Sequence, residues 1–223
     1  MFTKVTEAVR GFFSLRIPNS EFTSRPWRAH EVLDGFRVED VWRLPTPGGP
    51  GDLAALARFA ASAENSTLTS NPVIRGLFKA RWKIGEVLGW DDEKQKVGKR
   101  VASLRDDLPA DLLAVERGPD MALTPFKSVF LTDTEWISEF SASMGHIVMH
   151  HGWVQDEDGR YYSQMTSLVK TYGTFGKMYM ASIQPFRYLV VYPLQFRAIR
   201  KVWPQVLRDW SQPRPEGTET GKG

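Results

Sequence analysis

The sequence predicts an α+β fold in which a curved antiparallel sheet wraps around one long C-terminal helix. Two patterns carry that expectation. Between residues 126 and 169 several period-two segments follow one another, joined by connections too short for parallel crossovers. From Thr174 to Trp203 the texture changes to one mostly apolar helical run. Composition adds the third observation. The 223 residues are 42% hydrophobic and 25% charged, enough for one core, and no Pro/Gly/Ser-rich linker divides the apolar blocks. We therefore expect an N-terminal segment at 1–23, one folded domain at 24–210 and a disordered tail at 211–223.

The elements follow in chain order. Phe2, Val5, Val9 and Phe12 recur at helical spacing, which fits a short amphipathic helix laid on the body or on a membrane surface. Lys4, Glu7 and Arg10 interrupt any apolar stretch there, so no secretory signal is read and a cytoplasmic location is expected. Arg37 to Leu44 alternates, with Phe36, Val38 and Trp42 on one face and Arg37, Glu39 and Arg43 on the other: a half-buried strand. The breaker Pro45-Thr-Pro-Gly-Gly-Pro-Gly51 ends it. Asp52 is placed to cap a helix whose apolar face is Leu53, Leu56, Ala57 and Ala60. A second helix is expected from Pro72 to Gly89, with Val73, Leu77, Ala80, Ile84 and Leu88 on one stripe.

A polar, proline-containing stretch from Asp91 to Pro119 leads into four strands: Phe126–Leu131, Glu135–Phe140, His146–Val154 and Tyr161–Val169. Thr132-Asp133 and Asp156 to Gly159 supply the turns, so neighbours pair antiparallel. In the terminal helix Lys177, Gln184 and Gln195 form a narrow polar stripe on a greasy rod. Gln184, Pro185, Arg187, Pro193 and Arg197 break any run of about 20 apolar residues, so the rod is buried against protein and not in a bilayer. A sheet wrapped around such a helix leaves a cavity between them.

Several stretches resemble an actinobacterial family numbered 2867 among the domains of unknown function, within the START-like, or SRPBCC, superfamily. They are Ser24-Arg-Pro-Trp-Arg28, Glu39-Asp-Val-Trp-Arg-Leu-Pro-Thr-Pro-Gly-Gly49, Lys79-Ala-Arg-Trp-Lys-Ile-Gly-Glu-Val-Leu-Gly-Trp90, Gly152-Trp-Val154, Tyr179-Met-Ala-Ser-Ile-Gln-Pro-Phe-Arg-Tyr188 and Val191-Tyr-Pro193. The resemblance implies the helix-grip fold and a hydrophobic ligand pocket, and it transfers no catalytic residues. Ser141-Ala-Ser-Met-Gly-His146 departs from the Asn-Arg-Thr-like run of the family at that place.

The chemistry is bounded by exclusions. With no cysteine, disulfides, thiolate metal sites, iron–sulfur clusters and a cysteine nucleophile are all excluded. No Gly-x-Ser-x-Gly or Gly-x-Gly-x-x-Gly occurs, and Gly173-Thr-Phe-Gly-Lys177 lacks the spacing and the hydroxyl of a phosphate loop. His146, His150 and His151 resemble a metal cluster only if read as a helix. On a strand four residues span about 13 Å and adjacent side chains face opposite ways, so no metal and no cofactor are expected. Glu135 and Glu139 share a strand face, either as an acid/base pair or as solvated carboxylates.

The expected function is binding of a hydrophobic small molecule between sheet and helix, lined by Trp82, Trp136, Phe140, Met165, Phe175 and Phe186, with Arg187 or Lys177 meeting an acidic group. The same residues also suit an ordinary core. The alternative is a cyclase, dehydratase or isomerase using His146, His150 or Tyr179 to move a proton. A third reading, a peripheral membrane or interaction protein, draws on residues 159–208, which carry eight basic and no acidic side chains while the whole chain nets only +3. Solvated basic faces account for the same charges. The spread of those residues predicts weak membrane contact and no nucleic-acid partner.

Overall fold

The computed structural model describes residues 11–62, 76, 96–122 and 124–212. In chain order it contains β1 (Arg16–Ile17), the single turn α1 (Ser20–Thr23), a 3-10 turn at Arg28–Glu31, β2 (Arg37–Arg43) and α2 (Leu53–Ala61). A second 3-10 turn (Leu104–Asp107) and α3 (Ala110–Ala114) precede four strands: β3 (Lys127–Leu131), β4 (Glu135–Ala142), β5 (Gly145–Gln155) and β6 (Tyr161–Thr171). The chain ends in α4 (Gly173–Phe186), a π-helical turn (Arg187–Val191) and α5 (Tyr192–Ser211). Apart from residue 76, the second predicted helix, Pro72 to Gly89, lies outside the described residues, as do residues 1–10 and most of the tail.

The sheet has the order β1-β2-β6-β5-β4-β3, antiparallel throughout. The β3-to-β6 meander follows the strands expected from alternation to within two residues at each end. β2 adds itself beside β6, with Trp42 opposite Met165 and Asp40 opposite Ser167. The architecture is thus α+β, a curved antiparallel sheet with a long C-terminal helix.

Both faces of the sheet are covered. On the concave face Trp42, Trp136, Trp153 and Met165 pack with Leu53, Leu56 and Phe59 of α2 and with Tyr192, Phe196, Ile199 and Trp203 of α5. Phe12 closes that core from the N-terminal side, 5.1 Å from Trp42 between ring centroids. On the convex face Val41, Ile137, Val148 and Leu168 pack beneath Phe22, Ala29, Val32 and Leu33 from one side. Leu104, Leu108 and Leu112 cover it from the other, so part of the polar 91–119 stretch contributes core.

Three local expectations are revised. The alternation of 37–43 is interrupted by a bulge between Val38 and Asp40, which flips the phase. Val38 then packs with the convex cluster, while Asp40 and Trp42 stay level with the concave residues Ser167 and Met165. Asp52 makes no side-chain cap on α2; its Oδ2 accepts the N–H of Gly49 at 2.8 Å and so closes the preceding loop. Glu135 and Glu139 are not solvated, being 2% and 1% exposed.

Gly176 explains how α4 leaves the sheet. A Cβ built there would lie 2.0 Å from the carbonyl oxygen of Met144 in the β4–β5 turn, so only glycine lets the helix rest on that backbone. The residues resembling a phosphate loop are this packing contact.

Candidate ligand cavity

Between the concave face and the terminal helices lies a cavity of about 350 Å³. Its walls come from Trp136 and Phe140 on β4, Ile147, Met149 and His151 on β5, and Met165 and Ser167 on β6. Leu56, Phe59 and Ala60 of α2, Glu39 of β2, Met121, Thr124 and Phe126, and Tyr179, Met180, Ile183, Arg187, Tyr192 and Gln195 of the terminal helices add to them. Met121, Met144, Met149, Met165 and Met180, five of the seven methionines in the chain, face this one space. Unbranched thioethers re-pack around irregular apolar shapes, which aliphatic core residues do poorly.

At one end sits a built polar centre. Asp40, wholly buried, accepts hydrogen bonds from Trp42 Nε1 at 3.0 Å and Tyr192 OH at 3.3 Å on Oδ1, and from Arg187 Nη2 at 3.0 Å and Tyr188 OH at 3.1 Å on Oδ2. Ser167 Oγ receives a second bond from Arg187 Nη2 at 3.0 Å, and Arg187 also donates to Tyr192 OH through Nε and Nη2. The π turn is what makes this possible. Its extra residue per turn aims Arg187, which opens the five-residue segment, and Tyr192, which directly follows it, at the same carboxylate. Burial works against the charge of Arg187, yet the neighbouring Tyr192 and Asp40 raise its pKa above the ordinary value. Burial likewise pushes the Tyr192 phenol up to about 12, so it stays a neutral donor.

His151 is the cavity's imidazole. Its ring stacks on Trp136 with centroids 5.3 Å apart, and Nδ1 is 3.1 Å from Ser163 Oγ. Burial, with His150 adding a little, pushes its pKa down to about 3, so it is neutral at any physiological pH.

His146 and His150 point the other way. His150 Nε2 lies 3.2 Å from Glu135 Oε2, and that carboxylate also accepts the backbone N–H groups of Arg28 and Ala29 at 2.7 and 3.0 Å. His146 Nε2 lies 2.8 Å from Glu139 Oε2, whose carboxylate accepts the N–H of Leu104 and the hydroxyl of Ser103. Each pair rivets a convex-side segment to the sheet. Burial lowers the His150 pKa, and the Glu135 hydrogen bond only partly opposes it. Around His150 several buried polar atoms, Trp27 Nε1, His150 Nδ1, Gln164 Oε1 and Thr166 Oγ1, have no protein partner among the described residues.

Of the residues expected at a ligand site, the structure brings Trp136, Phe140, Met165, Tyr179 and Arg187 to the cavity. Phe175 and Phe186 lie on the outer side of the helix, 47% and 38% exposed, and do not line it. Trp82 lies outside the described residues. Asp40, Ser167, Tyr192 and His151 were missed by sequence reasoning; an acidic residue on the face that alternation makes apolar, Asp40 between Val38 and Trp42, is the one signal that pointed to the polar centre. No helix among the described residues is long and apolar enough to cross a membrane. Three of the eight basic residues of the C-terminal half are engaged apart from one another: Arg187 turns inward to Asp40, Arg160 pairs with Asp158 at 2.9 Å, and Lys170 lies over the Phe36 ring, while Arg197, Arg200, Lys201 and Arg208 are exposed on α5.

The model of a family described as protein of unknown function (DUF2867) matches residues 32–194. The chain belongs to that family. The DUF2867 segment begins just before β2 and ends just inside α5, so it holds Asp40, Ser167, Arg187 and Tyr192 together. No curated protein and no solved structure matches the chain.

Proposed function

We propose that the protein binds a hydrophobic small molecule in the cavity between the sheet and the terminal helices, and that its fold is the helix grip of the START-like superfamily. The observation that carries the function is the gathering of five methionines with Trp136 and Phe140 around a cavity of about 350 Å³, at the small end of the range for ligand sites. An interior built only for stability closes such a space, since each void forfeits packing energy. The element order supports the helix-grip reading: a curved sheet holding a C-terminal helix.

The neutral fluorophore N-phenyl-1-naphthylamine tests the function. Titrated into the full chain, it is expected to brighten saturably, and Met149→Trp, which fills the cavity, is expected to abolish the rise while the far-ultraviolet circular dichroism is kept. No saturable rise in the unaltered protein, or an equal one in Met149→Trp, would sink the proposal.

One observation favours a second reading, an acid/base enzyme of the cyclase, dehydratase or isomerase type. Tyr179 and the neutral His151 both line the cavity, whereas His146 and His150 do not. Such an enzyme loses turnover in His151→Gln without losing the bound fluorophore; a pure binder shows no turnover to lose.

A further inference from the structure

Resting on the cavity reading just given, we infer that the ligand is uncharged: an apolar skeleton carrying one hydrogen-bond-accepting oxygen, of the ketone, aldehyde or ester class, which takes a hydrogen bond from Nη1 of Arg187 while carboxylates are turned away.

The argument starts from how Arg187 is spent. Its Nε and Nη2 are committed to Tyr192, Asp40 and Ser167. Nη1 makes no hydrogen bond among the described residues, and it is not among the atoms sealed from solvent without a partner. Arg187 belongs to the cavity wall, and with its Nε and Nη2 committed elsewhere Nη1 is the nitrogen left for whatever fills the space. A purely hydrocarbon ligand would strip water from that N–H and give nothing back.

The charge on the guanidinium is already cancelled. Asp40 is 3.0 Å behind it and has no exposed surface, so its charge is spent on Arg187 and the three other donors it accepts. A second carboxylate at Nη1 would create a net anionic cluster in an apolar surround, where an uncompensated charge is costly. The other titratable groups on the described walls add no positive charge. His151 is held neutral, Tyr179 and Tyr192 are phenols, and Glu39, which pairs with the exposed Arg37, is itself an acid. A carbonyl oxygen, by contrast, satisfies Nη1 without bringing a charge to be desolvated.

The test is competition against bound N-phenyl-1-naphthylamine at pH 8 by three molecules of similar skeleton: 2-undecanone, decanoate and undecane. The expected order is 2-undecanone first, by about tenfold over undecane, one net hydrogen bond to a charged donor. Decanoate is expected last at pH 8, improving as pH falls into the range where its carboxyl takes a proton. Asp40→Asn keeps the shape but leaves Arg187 uncancelled, and is expected to move decanoate ahead of the ketone. Decanoate binding as well as or better than the ketone in the unaltered protein at pH 8, or all three binding alike, would overturn the inference while leaving the cavity reading intact. So would a folded Asp40→Asn with an unchanged order; should that variant not fold, the order in the unaltered protein decides alone. If none of the three displaces the fluorophore, this inference falls while the cavity reading stands on the fluorophore titration.

Discussion

Asp40 is the residue on which the cavity's polar end depends, because four donors from β2, α5 and the π turn meet on its two oxygens. Removing it leaves Arg187 buried without its counter-charge. Asp40→Ala is therefore expected to destabilise by about 3–5 kcal/mol, read as a lower urea midpoint, where an exposed pair such as Arg160–Asp158 contributes well under 1 kcal/mol. The buried imidazoles give a second residue-scale expectation. His150 and His151 have folded pKa values below the ordinary 6.5, that of His151 at about 3. The unfolded chain thus binds protons that the folded chain refuses. Stability is fully present above about pH 6.5 and is lost as pH falls toward 3, with a slope of about 1.4 kcal/mol per pH unit for each imidazole held neutral. His151→Gln should remove one imidazole's share of that slope in urea melts between pH 7.5 and 5; an unchanged slope would mean that His151 is not held neutral. Which of the two imidazoles meets the cavity was not legible in the sequence. β4, β5 and β6 are buried on both faces, so alternation says that His150 and His151 face opposite ways without saying which of them faces the cavity.

The elements themselves were far more legible than their phase. Strand periodicity survives burial on both sides, and turn residues such as those from Asp156 to Gly159 mark the ends whatever packs above, which is why the meander was readable. Phase is lost wherever one residue is inserted. The bulge beside Asp40 does this to β2, and the π turn does it to the terminal helix. A uniform 100° wheel placed Lys177, Gln184 and Gln195 on one stripe, but past Val191 the wheel is out of step. Gln195 reaches the cavity while Lys177 stays exposed. Deleting Leu189, which is 66% exposed and has little packing to lose, tests the turn. The segment is expected to revert to α-helix, swing Tyr192 away from Asp40 and abolish fluorophore binding; retained binding would show that the π geometry is dispensable. Gly176→Ala tests the junction of α4 with the sheet. A methyl group facing the Met144 carbonyl must push the helix off, at a cost of about 1–3 kcal/mol in a thermal or urea melt.

At the scale of the whole molecule, one sheet serves two purposes on its two faces. The convex face is closed by buried Glu–His pairs and by leucines from 104–112. The concave face leaves its space open against α2, α4 and α5, and methionine is concentrated there. The central claim is that this space holds a ligand. The ε-methyl groups of methionine report on it most directly, since five border the cavity and Met178 stands outside it, 68% exposed on α4. With ¹³C-methyl methionine incorporated into the full chain, titration with 2-undecanone is expected to shift the resonances of Met121, Met144, Met149, Met165 and Met180 together and to leave Met178 in place. Shifts confined to Met178, or none among the five while the protein stays folded, would contradict it.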